Sequence, residues 1–412
     1  MTNLIAIIIF TAACSILVYT WALYPVTMLL LHRKHTATEG PQVRPAQSIW
    51  PHVSIIIAAW NEESVIADRI ANLETLDYPQ QCLSVFIGTD GCTDCTAERA
   101  QTRAAQSPLH VQVQAYPLNR GKASVLVDLV ALAIEAHPNG DSILLFSDAN
   151  TVFAHDAVTH LVARMQSPAV GAVCGRLVFV QRHDQPEHTY WSLETKLKQI
   201  EAHYDSCLGA NGAIYAIRAT CFWRQLPPQT IIDDFVIGMK VREAGLRIVF
   251  EPNAVAYEDI PQTSDEWKRR VRIGSGAYQA LHWCRACMHP RYGRFACFFW
   301  SHKILRWFSP HLYLLAFASA ILALATTPAH HPWRMAGPAG MLILSAALLA
   351  LVLLHLCLPQ HPASKLRRLI AGIHHFSTMQ MAMLAGFVRF CRGNLTGTWH
   401  RTPRTPCKNT PT

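Results

Sequence analysis

Short apolar runs alternate with amphipathic helical segments in the first half of the chain, and this alternation constrains the fold more than any other feature. Strands are predicted at residues 53–58, 83–89, 111–115 and 142–147. Helices are predicted between them, at residues 61–76, 95–106 and 122–136. A β-α-β-α order predicts an α/β fold in which helices flank a mostly parallel sheet.

Polar clusters follow three of these runs, and a fourth cluster begins a helix. Glu62 follows the first run, Asp90 the second, and Asp148 with Asn150 the fourth. Lys122 begins the third helix, where backbone N–H groups, the helix dipole and the ammonium group suit an anion. Each cluster alone could be an ordinary loop or helix cap. Because ligands bind at the carboxyl ends of parallel strands, four clusters at one rim predict a binding site.

Of the polar clusters at this rim, the Asp148-Ala149-Asn150 triplet is the one best suited to bind a metal ion. Two oxygen side chains, two residues apart after a buried strand, can hold a divalent ion that also binds the oxygens of a diphosphate. The amide of Asn150 is a weaker ligand than a second carboxylate. The triplet predicts a divalent metal site.

Asp233 and Asp234 are adjacent carboxylates at the start of a predicted helix. That helix should end at Gly245, where a left-handed C-cap is available. Neighbouring like charges raise at least one pKa, so a carboxylate here is a candidate general base. Capping of the helix is the alternative interpretation, because Asp favours that position.

Two further segments supply candidate binding residues. Asn211 and Gly212 lie in a turn of small residues, which lets a ligand approach the backbone closely. Arg269 and Arg272 are three residues apart on a helix predicted at 265–280, so both can reach one pyrophosphate. The alternatives are a plain tight turn and a solvated basic face beside a membrane.

Long uncharged stretches predict a membrane protein. Residues 4–31 carry no charge and predict a retained anchor, followed by the basic residues 32–35 that place the next domain in the cytoplasm. Residues 308–327 and 336–358 are predicted spans, whereas 369–390 is expected to lie on the surface or re-enter the membrane.

The region between the predicted catalytic domain and the C-terminal spans is aromatic and basic, and should lie in the interface as an amphipathic helix. Its polar and aromatic residues are interpreted as anchors rather than catalysts, and they are His302, Lys303, Arg306 and Trp307. The resulting layout is an anchor at 1–35, a linker at 36–51, a catalytic domain at 52–285, an interfacial helix at 286–308, a C-terminal membrane region at 309–395 and a basic disordered tail at 396–412.

The charges are distributed unevenly along the chain. All 27 acidic residues precede Trp267, whereas 18 of the 36 Lys and Arg residues follow residue 266. An acid-free basic region suits an anionic cytoplasmic leaflet, and it could also meet an anionic substrate. Nucleic acid is not expected as a partner, because the basic residues alternate with apolar spans. Cys92 and Cys95 are interpreted as loop cysteines in a reducing compartment, since no second pair completes a zinc site.

Seven segments, in order, resemble the processive type of family 2 glycosyltransferases, membrane enzymes related to bacterial cellulose, chitin and hyaluronan synthases. The segments are VSIIIAAWNEE, TDGCTD, NRGKASVL, FSDANT, GANGAIYAIR, IIDDFVIGMKVREAG and WKRRVRIGSG. The resemblance covers about residues 50–310 and the order of anchor, domain and spans. It implies a GT-A fold and an inverting transfer from a nucleotide sugar, with Mg²⁺ or Mn²⁺ as cofactor.

The resemblance and the residue patterns described above together predict residue roles. Asp234 would be the catalytic base, with Asp233 beside it in the acceptor pocket. The residues expected to bind the donor are Glu62, Asp90, Lys122, Asp148, Arg269 and Arg272. The acceptor would meet Asn211 and Gly212, and the metal would bind Asp148 and Asn150. Ile273 stands where the family's Trp would stack on an acceptor sugar, which leaves single addition as an alternative to processive synthesis.

The leading prediction is a multi-pass enzyme of the inner membrane with its catalytic domain facing the cytoplasm. It would use a UDP-sugar and a lipid-linked or growing saccharide to make an exported or surface glycan, with export proteins as candidate partners. One alternative is a single-addition enzyme acting on a polyprenyl phosphate or membrane lipid. Another is an inactive membrane scaffold that binds a nucleotide sugar. A nucleotidyltransferase is not favoured, because residues 58–60 supply no Gly-rich signature near the first strand.

Overall fold

The computed structural model describes residues 2–35, 50–138, 142–180, 186–259, 266–326, 335–343, 345–346, 365–395 and 397. Within these ranges, eight strands form one sheet. The strands are β1 (Val53–Ala59), β2 (Leu83–Asp90), β3 (His110–Tyr116), β4 (Ile143–Asp148), β5 (Val152–Phe153), β6 (Val170–Phe179), β7 (Tyr215–Arg218) and β8 (Arg247–Glu258).

The sheet has the strand order β3-β2-β1-β4-β7-β6-β8-β5. Strands β3, β2, β1 and β4 run parallel to one another, whereas β7 runs antiparallel between β4 and β6. The predicted α/β sheet is confirmed, with antiparallel β7 at its centre and antiparallel β5 at one edge. Because β1, β2 and β4 point the same way, the segments that follow them meet at one edge.

Helices cover both faces of the sheet and extend beyond it. They are α1 (Thr2–Val18), α2 (Tyr24–His35), α3 (Ile66–Glu74), α4 (Thr96–Ala105), α5 (Lys122–Ala136), α6 (Ala157–Arg164), α7 (Pro186–Tyr204), α8 (Asp233–Glu243), α9 (Glu266–Trp283), α10 (Arg294–Phe298), α11 (Leu305–Trp307), α12 (Ser309–Thr326) and α13 (Lys365–Cys391).

The hydrophobic core has one cluster on each face of the sheet. Along β1, Ile55 and Ile57 belong to the cluster that contains α3, whereas Ile56 belongs to the cluster that contains α5. All three side chains are completely buried. A strand covered on both faces needs apolar residues at every position, which explains the continuous apolar runs in the sequence.

Some element boundaries differ from the sequence predictions. Helix α3 begins at Ile66 rather than at residue 61, because Asn61 adopts a positive φ of 55° and a turn follows at Glu62. Strand β8 extends well past the predicted 247–250, since its second half pairs with β6 and β5. Gly245 follows α8 with a φ of 88°, as predicted.

The segment predicted as one interfacial helix at 286–308 folds as several short helical pieces that pack against the domain containing the sheet. A π-helical stretch, Phe299–Ile304, joins α10 to α11. Phe295, Phe299 and His302 are almost completely buried. Side chains that were expected to face lipid therefore pack against protein.

Two helical stretches of the described residues are long and apolar enough to cross a membrane. They are Thr2–His32 and Ser309–Thr326. Large apolar side chains on both are exposed, such as Leu4 and Leu314, and α1 packs against α12.

Other predicted membrane and linker segments lie mostly or partly outside the described residues. These are the linker at 36–51, the span at 336–358 and the tail at 396–412. Within the predicted tail, Gly397 is described, and its backbone lies against Gly121 and Pro228. Residues 369–390 belong to α13, which packs along α9.

Candidate active site

A cavity of about 660 Å³ opens at the carboxyl ends of β1 and β4. The loop before β7, the first turn of α8, helix α9 and the segment 302–307 supply the other walls. Every predicted site residue except Asp90 lines this cavity. These residues are Glu62, Lys122, Asp148, Asn150, Asn211, Gly212, Asp233, Asp234, Arg269 and Arg272.

Asp90 is completely buried and does not line the cavity. Its Oδ1 accepts a hydrogen bond from the backbone N–H of Arg120 at 2.8 Å, and its Oδ2 accepts one from Gly121 at 2.9 Å. Gly121 has a φ of 89°, which a side chain would disfavour. The expected donor-binding carboxylate thus holds the loop before α5, and this contact positions Lys122.

Lys122, in the first turn of α5, lies between two carboxylates. Its Nζ is 2.6 Å from Oδ1 of Asp148 and 3.8 Å from Oδ2 of Asp233. Although burial lowers the pKa of Lys122, these two carboxylates raise it above its ordinary value, so the side chain stays charged. The ammonium group places a positive charge at the end of β4.

Asp233 is 6% exposed, and its Oδ2 has no hydrogen-bond partner in the described part of the chain. Burial raises the pKa of Asp233 to about 6, and the carboxylates of Asp234 and Asp148 add to this rise against the opposing charge of Lys122. Asp233 was expected on the acceptor side of the site. Its ion pair with Lys122 places the side chain on the Asp148 side instead.

Asp234 is held by two backbone N–H groups. Gly212 donates to its Oδ2 at 2.8 Å, and Phe235 donates to its Oδ1 at 2.8 Å. A Cβ atom at Gly212 would lie 3.4 Å from Oδ2, so the loop approaches the carboxylate closely. Asn211 stabilises this loop by accepting a hydrogen bond from Ala213 at 3.3 Å. The carboxylate of Asp234 is therefore fixed at the cavity wall, where a general base would act.

The basic residues of α9 differ in their pairing. Arg269 and Arg270 both bind Glu266, with Nε···O distances of 3.1 and 2.6 Å. Arg272 is half-buried, and no carboxylate lies within ion-pair distance of it in the described ranges. Burial lowers the pKa of Arg272, while the charges of Asp233 and Asp148 oppose this effect. Its guanidinium group is available to an anionic ligand in the cavity.

Sequence reasoning missed a group of residues in the segment 302–307. His302 donates to Glu201 at 2.6 Å and lies 3.0 Å from Glu194, while Lys303 lies 3.1 Å from Glu194 and Arg306 also pairs with it. All four residues predicted as membrane anchors, Trp307 included, line the cavity. The sequence K-x-x-R-W at residues 303–307, which places two cations and an indole ring within five positions, was the signal that could have placed them here.

The oxygen ligands at the rim fit a hard divalent cation. Asp148 and Asn150 both line the cavity, where a carboxylate oxygen and an amide oxygen can serve as ligands. No cluster of three or more His, Cys, Asp or Glu side chains suited to a metal occurs among the described residues. The chain thus offers one or two oxygen ligands, as in sites that Mg²⁺ completes with substrate phosphates and water.

Residues 51–273 match a family profile described as Glycosyltransferase like family 2, and the match covers more than half of the 412 residues. The chain belongs to this family. The ordered motifs of the sequence resembled this family, and the family assignment is confirmed.

Some curated relatives of this chain are named for N-acetylglucosamine, and one is named a beta-monoglucosyldiacylglycerol synthase. An N-acetylglucosaminyltransferase of Rhizobium leguminosarum bv. viciae is 23% identical over 291 residues, which are 67% of this chain and 65% of the relative. A poly-beta-1,6-N-acetyl-D-glucosamine synthase of Staphylococcus epidermidis is 24% identical over 276 residues, 62% of this chain and 58% of the relative. The chain spans about three-fifths of the length of such relatives.

A solved structure shares the fold of this chain over nearly the whole length of both proteins. The mannosyltransferase PcManGT from Pyrobaculum calidifontis, in complex with GDP-Man and Mn²⁺, aligns with a TM-score of 0.66 and 22% identity. The alignment covers 95% of this chain and 99% of that one. The predicted GT-A type fold is confirmed.

Proposed function

We propose that this glycosyltransferase transfers a sugar, with inversion, from a uridine diphosphate donor to a hydroxyl of a lipid-linked or growing saccharide. The observation that carries the proposal is the carboxylate of Asp234, fixed by Gly212 and Phe235 in the same cavity as Asp148 and Lys122. Similarity to N-acetylglucosaminyltransferases supports an N-acetylhexosamine as the transferred sugar.

Asp234 removes the proton from the acceptor hydroxyl. The oxygen forms a bond to the anomeric carbon, and the bond from that carbon to the diphosphate oxygen breaks on the opposite face. The electron pair leaves with the nucleoside diphosphate, and the proton remains on Asp234. Asp233 contributes indirectly, because its charge helps to hold Lys122.

The leaving diphosphate gains negative charge in this step. Arg272, which has no ion-pair partner within the described ranges, and Lys122 supply positive groups in the cavity. Arg269, paired with Glu266, would hold the diphosphate only by exchanging partners. Glu62, at the end of β1, would bind the nucleoside at the cavity mouth.

Asp148 and Asn150 would hold Mg²⁺ or Mn²⁺, which supplies positive charge beside the diphosphate oxygens. The Mn²⁺ complex of the Pyrobaculum mannosyltransferase supports this use of a divalent ion.

The two candidate spans support a place in the membrane for the enzyme. The basic residues 32–35 favour a catalytic domain facing the cytoplasm of a bacterial inner membrane. Glycan export proteins are the partners that such a location allows.

Addition of a single sugar to a membrane lipid is the second candidate. Ile273 supports it, because an aliphatic side chain, 37% exposed, occupies the position where a stacking aromatic would hold a growing chain.

Detergent-solubilised enzyme should be stabilised against heat by one nucleotide sugar of a panel, and only with Mg²⁺ or Mn²⁺ present. Asp234→Asn should then lower kcat roughly 10²- to 10⁴-fold while keeping this stabilisation. Asp156→Asn, at an exposed helix start, is the control. Full turnover in Asp234→Asn would remove Asp234 from the mechanism. Stabilisation by no donor would argue for a different activity.

A further inference from the structure

In one part of the cavity, here called the far part, Arg306 contacts both Glu194 of α7 and the ring of Trp21. Helix α13 also lines the cavity. Trp21 belongs to the first candidate span, and its Nε1 donates to Oγ of Ser309 at 2.9 Å, where the second candidate span begins. This end of the cavity therefore lies beside both candidate spans.

Lys198 of α7 lies in the wall of this far part of the cavity. Its Nζ donates to the carbonyl of Ala210 at 3.3 Å and lies 3.9 Å from Sγ of Cys174. Ala210 is two residues before Gly212, whose N–H binds Asp234. Lys198 is thus attached to the same loop that fixes the proposed base.

The ammonium group of Lys198 forms no ion pair with a carboxylate of the described residues. No carboxylate lies within 4 Å of its Nζ in the part of the chain that the structure describes. Burial raises the pKa of the neighbouring thiols of Cys174 and Cys207, so both remain neutral. Asp234 and Glu194 act on Lys198 only at longer range.

The other cations of the cavity have partners, with one exception. Lys122 pairs with Asp148, the two preceding arginines of α9 pair with Glu266, and Lys303 and Arg306 pair with Glu194. Of the described residues, Arg272 shares with Lys198 the lack of an ion pair. Arg272 is near Asp148 and Asp233, on the donor side, whereas Lys198 is near Asp234 and Glu194. The cavity therefore offers two separate positions for anions.

Apolar and aromatic side chains line the cavity together with the ion cluster of Glu194, whose partner Arg306 lies over the ring of Trp21. The apolar and aromatic side chains include Trp21, Trp191, Met379 and Met383. Indole rings favour the boundary between lipid and water, and unbranched Met side chains adapt to a flexible chain. A ligand that leaves the cavity on this side would carry an apolar tail.

We propose that the acceptor is an anionic membrane lipid whose phosphate binds Lys198 while its headgroup hydroxyl faces Asp234 and its apolar chain leaves past Trp21. The inference rests on the proposed transfer to a hydroxyl, and the bonds made and broken are those of that transfer. The phosphate takes no part in bond breaking. Lys198 is a positioning residue, and Arg272 is left to the donor diphosphate.

Three acceptors that share one sugar separate the effects of charge and chain. They are an alkyl diphosphate glycoside, a neutral alkyl glycoside of the same chain length, and the sugar 1-phosphate without a chain. The full-length enzyme in detergent, with the donor found by thermal stabilisation, should use the alkyl diphosphate glycoside with the lowest KM. Equal use of either other acceptor would overturn the proposal.

Lys198→Met should raise the KM for the alkyl diphosphate glycoside roughly 10- to 100-fold, the effect of losing one charged hydrogen bond. The KM for the donor and for the neutral glycoside should stay as in the wild type. Lys198→Arg should restore most of the affinity, and Lys196→Met, on the exposed side of the same helix, is the matched control. An unchanged KM in Lys198→Met, or an equal rise for the neutral glycoside, would contradict a phosphate contact.

Donor hydrolysis in the absence of acceptor separates a failure of the lipid-acceptor proposal from a failure of the proposed sugar transfer. If the wild type hydrolyses the donor but uses none of the three acceptors, the lipid assignment is wrong and the donor site stands. If it neither hydrolyses nor transfers any donor, the proposed function fails and this inference fails with it. Equal thermal unfolding midpoints for Lys198→Met and Lys198→Arg would show that a change in KM does not come from a loss of folding.

Discussion

The Nζ atom of Lys122 lies 2.6 Å from Oδ1 of Asp148, so an ammonium group occupies the end of β4 where the donor diphosphate is expected. The same ammonium group is 3.8 Å from Asp233. One lysine therefore connects the strand-end carboxylate with the helix that carries the proposed base. Asp90 controls the position of this lysine through the backbone of Arg120 and Gly121.

Lys122→Met should raise the KM for the donor roughly 10- to 100-fold, because a charged hydrogen bond contributes about 1.5–3 kcal/mol. Steady-state kinetics with varied donor measure this effect. Arg120→Met is the matched control. Arg120 is an exposed cation two residues before Lys122, and it pairs with Asp128 rather than with a residue of the proposed site. An unchanged donor KM would show that Lys122 serves only the folded structure.

Gly238→Ala should destabilise the protein. A Cβ atom there would lie 2.8 Å from the backbone N of Ala210 and 2.9 Å from Cα of Gly209, so the loop that holds Asp234 must move. Overpacking of this kind costs about 1–3 kcal/mol, and thermal unfolding would measure it. Gly372→Ala is the control, because a Cβ atom at this other helical glycine meets nothing within 4 Å. A normal midpoint and normal kcat in Gly238→Ala would be the contrary result.

Glu194→Gln should cost about 3–5 kcal/mol, because it leaves His302, Lys303 and Arg306 beside a neutral amide. These cations hold the pKa of the Glu194 carboxyl well below its usual range, despite the opposing effect of burial. Thermal unfolding in detergent tests the prediction, with the exposed Glu135→Gln as control. Equal midpoints for the two variants would mean that the ion cluster adds nothing to stability.

Mild acid should destabilise the edge of the sheet opposite the active site. The rings of His52 and His137 stack with centroids 3.5 Å apart, and both Nε2 atoms lie near Oγ of Ser84, at 3.1 and 3.2 Å. Burial, helped by the charges of His137 and His110, lowers the pKa of His52 to about 4, and burial also lowers that of His137. In the unfolded chain these histidines titrate near 6.5.

Between pH 6.5 and about 4 the unfolded chain therefore binds more protons than the folded one. The stabilising effect of the neutral rings is complete above pH 6.5 and declines as the pH falls through this window. His137→Ala should reduce the pH dependence of the unfolding midpoint, while the exposed His155→Ala should keep it. The same acid-induced decrease in both variants would exclude the stacked pair as its cause.

The rim of the site was predictable because it follows from a local pattern and a topological rule. Glu62, Asp148 and Lys122 each stand at the end of a strand or the start of a helix, and parallel strands bring such positions together. The adjacent pair at Asp233 and Asp234 was visible as two charges before an apolar helix.

The orientation of individual carboxylates was not predictable in this way. Asp90 has the same strand-end position as Asp148, but its side chain turns away from the cavity because two backbone N–H groups of the next loop bind it. Only the three-dimensional path of residues 119–121 decides between these outcomes.

The burial of the segment 302–307 was missed for a related reason. Aromatic and basic residues at helical spacing look alike whether they face lipid or protein. The partners that decide the outcome, Glu194 and Glu201, lie about a hundred residues earlier in the chain. Long-range ion pairs of this kind leave no local pattern.

Helix α13 completes one wall of the cavity with Met379, Gln380 and Met383. These residues lie about a hundred positions after Arg272 in the chain. A fragment that ends at residue 273 would keep the sheet and the proposed base but would leave this wall open to water. Water would then compete with the acceptor for the activated sugar. In the proposed reaction, the C-terminal helix therefore favours transfer to the acceptor over hydrolysis of the donor.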